Sequence, residues 1–169
     1  MDSYVIKIFL YEVEPLIWRR FTVPATATFA EFNEIIQKVM GWSGGQDHQF
    51  RHGKGRHLGS VISNTQEQVG PQDDFTDEKE VVLKDFVGRR RLSLRLMYRY
   101  DFFDEWTHEV VIEEKSEADA PKVLEGERAC PPEDCGGSFG YKECMGGFAE
   151  WMDDDFDPEA FDPESIKLP

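Results

Sequence analysis

The chain has few cysteines and no long apolar run, and each absence narrows the class of protein. Its 169 residues include three cysteines, an odd number and too few for the disulfide framework of a small secreted domain. The first apolar stretch, Tyr4–Tyr11, has no basic flank and is too short for a secretory signal or a membrane span. We therefore expect a cytoplasmic protein with free or metal-bound thiols and no contact with membranes.

Basic residues are scarce in the C-terminal part of the chain. Residues 1–100 carry fourteen Lys and Arg against thirteen Asp and Glu, whereas residues 101–169 carry five against twenty-one. Affinity for nucleic acid depends on neutralising phosphate charge, which so acidic a surface opposes. The charge distribution therefore disfavours a nucleic-acid partner and favours a protein or a small ligand. It indicates no oligomeric state.

Hydrophobic periodicity predicts one α+β domain over residues 1–169. Tyr4–Tyr11 and Leu16–Val23 are typical of a β-hairpin, and Thr28 with Glu31 forms a capping box that opens a helix over Phe29–Met40. This ββα start, followed by a third strand, is similar to a β-grasp or roll arrangement. We expect a mixed, mainly antiparallel sheet with helices packed on one face and an acidic C-terminal tail from about residue 153.

The alternation of residues predicts two strands in the second half, Leu92–Phe102 and one that starts at Trp106, paired antiparallel across a short turn. His108 falls on the apolar face of the second strand, with Trp106. The other predicted segments are strands Gln46–His52 and Arg56–Ile62, a loop over Asn64–Glu80, helices Val81–Val87 and Tyr141–Met152, and a loop over Ala120–Gly140.

Two thiols in a proline-stiffened turn give the sharpest chemical signal. Cys130 and Cys135 flank Pro-Pro-Glu-Asp and precede two glycines, so the backbone can fold closely around a soft cation. A structural zinc ion needs four ligands, and His108 is the first candidate for a third, with His48 and Cys144 also available. The alternative is that both thiols are small buried side chains in a rigid loop.

The second hypothesis for His108 is a catalytic role. A neutral imidazole can act as a base, and Asp101, Asp104 and Glu105 in the preceding turn could pair with it. The alternative is a satisfied core histidine beside turn acids that cap backbone N–H groups. No phosphate loop, H-E-x-x-H motif or set of protein-kinase motifs accompanies these residues.

Two basic groups stand out in an otherwise acidic chain. One contains the histidines and basic residues of the glycine-rich segment, namely His48, Arg51, His52, Lys54, Arg56 and His57. The other is Arg89-Arg90-Arg91, at the entrance of a strand. Either could attract phosphate, although the first lacks the interleaved aromatic residues of a single-strand binding platform. A solvated surface loop is the alternative.

The combined motifs resemble the plasmid pRiA4b open-reading-frame-three-like family, some of whose members carry TnpR-like or resolvase-like labels. The resemblance covers nearly the whole chain and is carried by these segments: 15–20 (PLIWRR), 40–42 (MGW), 48–50 (HQF), 98–108 (YRYDFFDEWTH), 126–141 with its ACPPEDCGG turn, and 156–161 (FDPEAF). Two departures from the family pattern are Phe103, where glycine is usual, and a shorter segment between Cys144 and Trp151.

The resemblance implies an α+β domain and no established reaction. We therefore expect first a non-enzymatic binding or regulatory module, in which the Cys130–Cys135 turn docks beside the Trp106–His108 strand. The second hypothesis is a small metal-dependent enzyme that uses His108 with an acid such as Asp101 or Asp104. The third is an accessory protein in DNA recombination or transposition that acts through Arg51–Arg56 and Arg89–Arg91.

Overall fold

A computed structural model describes residues 2–52, 60–147 and 155–169 of the chain. In chain order its strands are β1 (Ser3–Leu10), β2 (Trp18–Pro24), β3 (His48–His52), β4 (Ser60–Ser63), β5 (Asp74–Asp77), β6 (Leu94–Tyr100), β7 (Trp106–Ser116) and β8 (Val123–Glu127). Its helices are α1 (Phe29–Met40), α2 (Leu83–Val87) and α3 (Gly137–Met145), followed by a 3₁₀ turn over Pro163–Ser165.

One mixed sheet contains all eight strands, in the order β5-β4-β3-β6-β7-β1-β2-β8. The β4–β5 pair is parallel, and the other pairs are antiparallel. The predicted α+β class and both predicted antiparallel pairs, β1–β2 and β6–β7, are confirmed. The ββαβ order also holds, with β3 paired to β6 rather than to β1.

Alternate residues of the central strands form the floor of the core. On β7 the inward residues Trp106, His108, Val110 and Ile112 are at most 1% exposed, and Leu96, Tyr98 and Tyr100 of β6 lie beside them. The three helices cover this face, so that Phe29 and Phe32 of α1, Phe86 of α2 and Tyr141 of α3 join the same cluster. The helices therefore pack on one face, as predicted.

Helix α1 has the predicted bounds because both of its ends are set locally. The Thr28 side chain accepts from the backbone N–H of Glu31, and the Glu31 carboxylate accepts from the Thr28 N–H at 2.8 Å. Gly41 ends the helix in the left-handed region at φ 108°, a conformation that glycine adopts without steric cost.

Three local predictions are corrected. The stretch Asn64–Glu80 contains the edge strand β5, and Ala120–Gly140 contains the opposite edge strand β8. Both were predicted as loops because neither segment has an apolar alternation of its own, and each becomes a strand through its neighbour. Helix α3 starts at Gly137, four residues before the predicted start at Tyr141. The predicted helix end and the segment from Cys144 to Trp151 fall partly on residues 148–154, outside the described residues.

The described part of the acidic tail, residues 155–169, lies against β8 and the core. The Ala129 N–H donates to the Pro158 carbonyl at 3.0 Å, and Arg128 forms an ion pair with Glu159. The Phe161 ring lies 3.9 Å from the Arg19 guanidinium and so close to Gly126 that an added Cβ would be 2.7 Å from its edge. The tail is therefore part of the packed structure.

In the three stretches that the structure describes, no helix combines the length and the apolar character that crossing a bilayer requires.

Candidate functional site

The candidate site lies where two turns meet. The first is the β6–β7 turn, Asp101–Glu105, and the second is the cysteine turn, Cys130–Cys135, with the two glycines that follow it. The Gly136 N–H donates to Asp104 Oδ2 at 3.3 Å. Gly137 has a φ of 72°, and a Cβ there would stand 2.2 Å from the Asp104 carbonyl oxygen. Only glycine at this position lets the two turns approach so closely.

Trp42 connects the cysteine turn to the sheet. Its indole N–H donates to the Pro131 carbonyl at 3.0 Å. Its ring stacks on Tyr100 with centroids 5.2 Å apart and contacts Trp106 at 5.4 Å and His108 at 5.2 Å. Trp42, which the sequence argument named only as part of the family segment 40–42, thus links the cysteine turn to Trp106 and His108.

The β6–β7 turn is built by Asp101. Its carboxylate oxygen Oδ1 accepts from the N–H groups of Phe103 at 3.0 Å and Asp104 at 3.3 Å. The left-handed residues of the turn are Asp101 (φ 62°) and Glu105 (φ 55°), so Phe103 needs no positive φ. The turn therefore works without the glycine that the family pattern has there, and it leaves the Phe103 side chain 95% exposed.

His108 lies on the inner face of the sheet and is 0% exposed. Its Nδ1–H donates to the Tyr98 carbonyl at 3.3 Å, and its Nε2 has no hydrogen-bond partner among the residues that the structure describes. Burial lowers the pKa of His108 to about 4, because the aromatic surroundings disfavour the charged imidazolium. The residue is therefore a neutral core histidine, with no surface open to a substrate. Its predicted catalytic role with Asp101 or Asp104 gains no geometric support and stays a prediction.

Cys130 and Cys135 belong to the cysteine turn, and Cys144 belongs to α3, which follows it. All three thiols are free. Burial raises the pKa of Cys130 well above its usual range, and burial raises that of Cys135 to about 12, with Cys144 and Asp104 adding to the effect. Among the described residues, Cys130, Cys135 and His108 do not form a group of metal-ligand geometry. Zinc binding by them stays a prediction.

Three carboxylates do come together. Ligand oxygens of Asp101, Asp104 and Asp134 all lie within 4.8 Å of one another. Burial raises the pKa of Asp104, and the negative charges of Asp101 and Asp134 raise it further. The sequence argument named the first two acids, and folding of the cysteine turn adds the third. The result is a concentration of negative charge at the junction of the two turns.

Beside this junction is an open cleft of about 490 Å³, hereafter the acidic cleft. Its wall contains the carboxylates Glu12, Asp104 and Glu105 together with apolar side chains, and its full lining is Tyr11, Glu12, Met97, Asp104, Glu105, Thr107, Gly136, Ser138 and Phe139. Met97 and Thr107 belong to the outer face of the sheet, so the acidic cleft is separated from His108 by the sheet itself.

Ser138 is a further residue that the sequence argument passed over. The segment 136–140 reads G-G-S-F-G, which has the spacing of a nucleophile elbow. A serine nucleophile of that kind follows a strand and is hydrogen-bonded to a histidine base. Here Ser138 follows the cysteine turn, and its hydroxyl donates to Glu12 Oε2 at 3.4 Å. None of the imidazoles in the described residues is hydrogen-bonded to it.

His48 forms a separate buried pair on β3. Its Nε2 lies 2.5 Å from Glu78 Oε2, and its Nδ1 lies 3.1 Å from the Gln46 carbonyl oxygen. Both ring nitrogens therefore face acceptors, which leaves neither free for a metal ion or a substrate. The Glu78 backbone also joins β4 to α1, through Ser63 and Ala30. The pair serves to hold these elements together.

The two predicted basic groups, around Arg51 and at Arg89–Arg91, each contain an arginine with an internal partner. Arg51 pairs with Asp73 at 3.2 Å, and Arg90 lies over Phe86 with its guanidinium 4.8 Å from the ring centre. Lys54, Arg56 and His57 are outside the described residues. The described parts therefore supply no continuous basic surface at the candidate site.

Fold and site together define the class: an α+β protein built on one eight-stranded sheet, with an acidic, partly aromatic cleft where two turns meet. The chain belongs to the plasmid pRiA4b ORF-3-like protein family, whose model matches residues 2–165.

Two relatives of this chain illustrate the match. The chain is 33% identical to the uncharacterized protein y4hQ of Sinorhizobium fredii over 148 residues. The aligned region covers 86% of this chain and 72% of y4hQ. It is also similar to the crystal structure of MM3350, a protein of unknown function from Methanosarcina mazei Go1, with a TM-score of 0.82, 30% identity and 98% coverage of both chains. The family identified from the sequence is thus confirmed, and neither relative is described as a resolvase.

Proposed function

We propose that the protein is a non-enzymatic binding module whose partner docks at the junction of the β6–β7 turn and the cysteine turn. The observation that carries the proposal is the exposure of two aromatic side chains on a rigid base. Phe103 is 95% exposed and Phe139 is 72% exposed. Phe139 lines the acidic cleft with Asp104, and Phe103 directly precedes Asp104 in the chain.

The rigidity of the base supports this proposal. Gly137 packs closely against Asp104. Trp42 is hydrogen-bonded to Pro131 and packs on Tyr100 of the sheet, so both contacts hold the two turns against the sheet. A pre-ordered surface loses little conformational entropy when a partner binds, so that exposed aromatic side chains can contribute most of their contact energy. Met97, 37% exposed, extends the apolar surface toward the outer face of the sheet.

The other two hypotheses have weaker support. An enzyme that uses His108 would need a substrate to reach a ring that is 0% exposed. A role in DNA recombination would act through the basic groups Arg51–Arg56 and Arg89–Arg91. Arg51 is already paired with Asp73 at 3.2 Å, and Arg90 lies over Phe86, so these side chains have internal partners that compete with a phosphate.

Photo-cross-linking from the proposed surface tests the function. A benzoylphenylalanine residue is introduced in place of Phe103, or of Phe139, in the chain expressed in its native host, and cross-linked proteins are identified by mass spectrometry. The control carries the same group in place of Glu80, an exposed residue after β5. We expect one protein to be captured from both aromatic positions and not from the control.

Direct binding to the captured protein then decides the outcome. Titration calorimetry with the purified partner should give an affinity that falls at least about tenfold in the double variant F103A/F139A, because truncating exposed aromatic anchors costs about 1–2 kcal/mol each. An unchanged affinity of the double variant, or capture from the control position alone, would overturn the proposal.

A further inference from the structure

We propose that the acidic cleft accepts a side-chain cation, a lysine ammonium or an arginine guanidinium, from the bound partner. The inference rests on the proposed function and adds the chemistry of the partner. It commits the module to a protein segment that carries a basic residue next to apolar ones.

The charge of the cleft is the first observation. Glu12 and Asp104 both line it, and within the described ranges neither belongs to a salt bridge. Glu105, the third carboxylate of the wall, pairs with Arg99 at 3.2 Å. Asp101 and Asp134 add negative charge behind Asp104, with oxygens within 4.8 Å of its own. A cation placed here would meet attraction from several sides.

The walls of the cleft are the second observation. Phe139, Tyr11 and Met97 line the same cleft as the carboxylates. Aromatic faces attract ammonium and guanidinium groups, and apolar walls also pack against the methylene stem of a lysine or arginine. The lining therefore matches both parts of a long basic side chain.

The protein already uses this chemistry on the neighbouring surface. The Arg99 guanidinium lies 4.6 Å from the centre of the Phe102 ring and 3.2 Å from Glu105 Oε1. One ring and one carboxylate hold an internal guanidinium there. The acidic cleft repeats that combination with an open side, where an external cation can enter.

Two matched peptides test the inference. The probes are Ac-Gly-Phe-Arg-Phe-Gly-NH₂ and the same peptide with citrulline in place of arginine, which keeps the shape of the side chain and removes its charge. Binding is followed by ¹H–¹⁵N correlation spectra of the full chain. We expect the arginine peptide to shift the amide signals of Asp104, Gly136 and Phe139, with an affinity at least about fivefold above that of the citrulline peptide.

Two variants locate the effect. In E12Q/D104N the side-chain oxygens remain, so that Asn at 104 can still accept from the Gly136 N–H, but two charges are lost. This variant should bind the arginine peptide at least about fivefold more weakly, whereas E80Q, which removes an exposed charge elsewhere, should bind it as the unaltered protein does. Equal affinities for the two peptides, or an unchanged affinity in E12Q/D104N, would refute the inference.

The two proposals fail in different ways. If the cross-linked partner depends on Phe103 and Phe139 but the arginine and citrulline peptides bind equally, the binding module stands and the cation site is wrong. If the arginine peptide binds as expected but no partner is captured from either aromatic position, the proposed function is wrong and the cation site stands.

Discussion

Acidification should destabilise this protein through His108. The folded state holds His108 neutral, with a pKa lowered from 6.5 to about 4 by burial. In the unfolded chain the same imidazole takes up a proton below about pH 6.5. Between these values the unfolded state binds more protons, so the free energy of unfolding falls as the pH falls. The stability is fully present above about pH 6.5 and is lost as the pH approaches 4.

The size of the effect follows from the two pKa values. Each pH unit between 6.5 and about 4 contributes about 1.4 kcal/mol, so His108 alone should account for ~3 kcal/mol by pH 4. That is a large part of the 5–15 kcal/mol or so that stabilises a typical domain. The effect needs no conformational change, because it arises from the aromatic surroundings of the ring, Trp42 and Tyr98.

Urea unfolding between pH 7.5 and 4.0 measures how the free energy of unfolding changes as His108 titrates. Tryptophan fluorescence supplies the signal, because Trp42 packs against both His108 and Trp106. The comparison is with His108→Leu, which removes the titrating group and the weak hydrogen bond to Tyr98. Other groups titrate equally in both proteins and cancel in the difference. We expect the unaltered protein to lose ~3 kcal/mol more than the variant over this range. Parallel pH profiles for the two proteins would refute the reasoning.

Three substitutions test the packing of the site and the tail. Gly137→Ala should lower the free energy of unfolding by at least ~3 kcal/mol, because its Cβ would collide with the Asp104 carbonyl oxygen. The control Gly147→Ala, at φ 79° with nothing within 4 Å, should lower it by only about 1 kcal/mol. Similar melting temperatures for the two variants would contradict the close contact at Gly137. Trp42→Phe should lower the free energy of unfolding by about 2 kcal/mol, because a hydrogen bond is lost and the packing is poorer. An unchanged urea midpoint would show that Trp42 does not hold the cysteine turn to the sheet. Phe161→Ala should cost about 1–2 kcal/mol and speed proteolysis of the C-terminal residues, and an equal cleavage rate would show that the ring does not hold the tail.

Local signals in the sequence were sufficient for the central elements. The capping box of Thr28 and Glu31 and the left-handed Gly41 specify both ends of α1. The alternation from Leu94 to Tyr100 and from Trp106 onward specifies which residues face the core, and it placed His108 there. These signals act between residues close in sequence, and the structure preserves them.

Long-range contacts account for what was missed. Trp42 and Pro131 are 89 positions apart, and no pattern near either one indicates their hydrogen bond. Asp134 joins Asp101 and Asp104 only because Gly136 and Gly137 fold the cysteine turn back against the β6–β7 turn. The same dependence on distant partners explains why the edge strands β5 and β8 were not predicted.

Arg19 lies on the buried face of β2, and no local pattern indicates that a guanidinium is buried there. It is 1% exposed, and it donates to carbonyl oxygens of Val39, Trp18 and Glu127. Burial lowers its pKa to about 10. Carbonyl oxygens from three elements satisfy the buried group, an arrangement that only the folded chain creates.

The docked tail has a consequence for how the outer strand of the sheet meets solvent. An edge strand with unpaired backbone groups invites pairing with another chain, and β8 is such an edge. The Phe161 ring over Gly126 and the hydrogen bond from Ala129 to Pro158 bring the tail across this border. We therefore expect residues 155–169 to hinder pairing of this edge with another chain, and their acidic side chains to add electrostatic repulsion between neighbouring molecules.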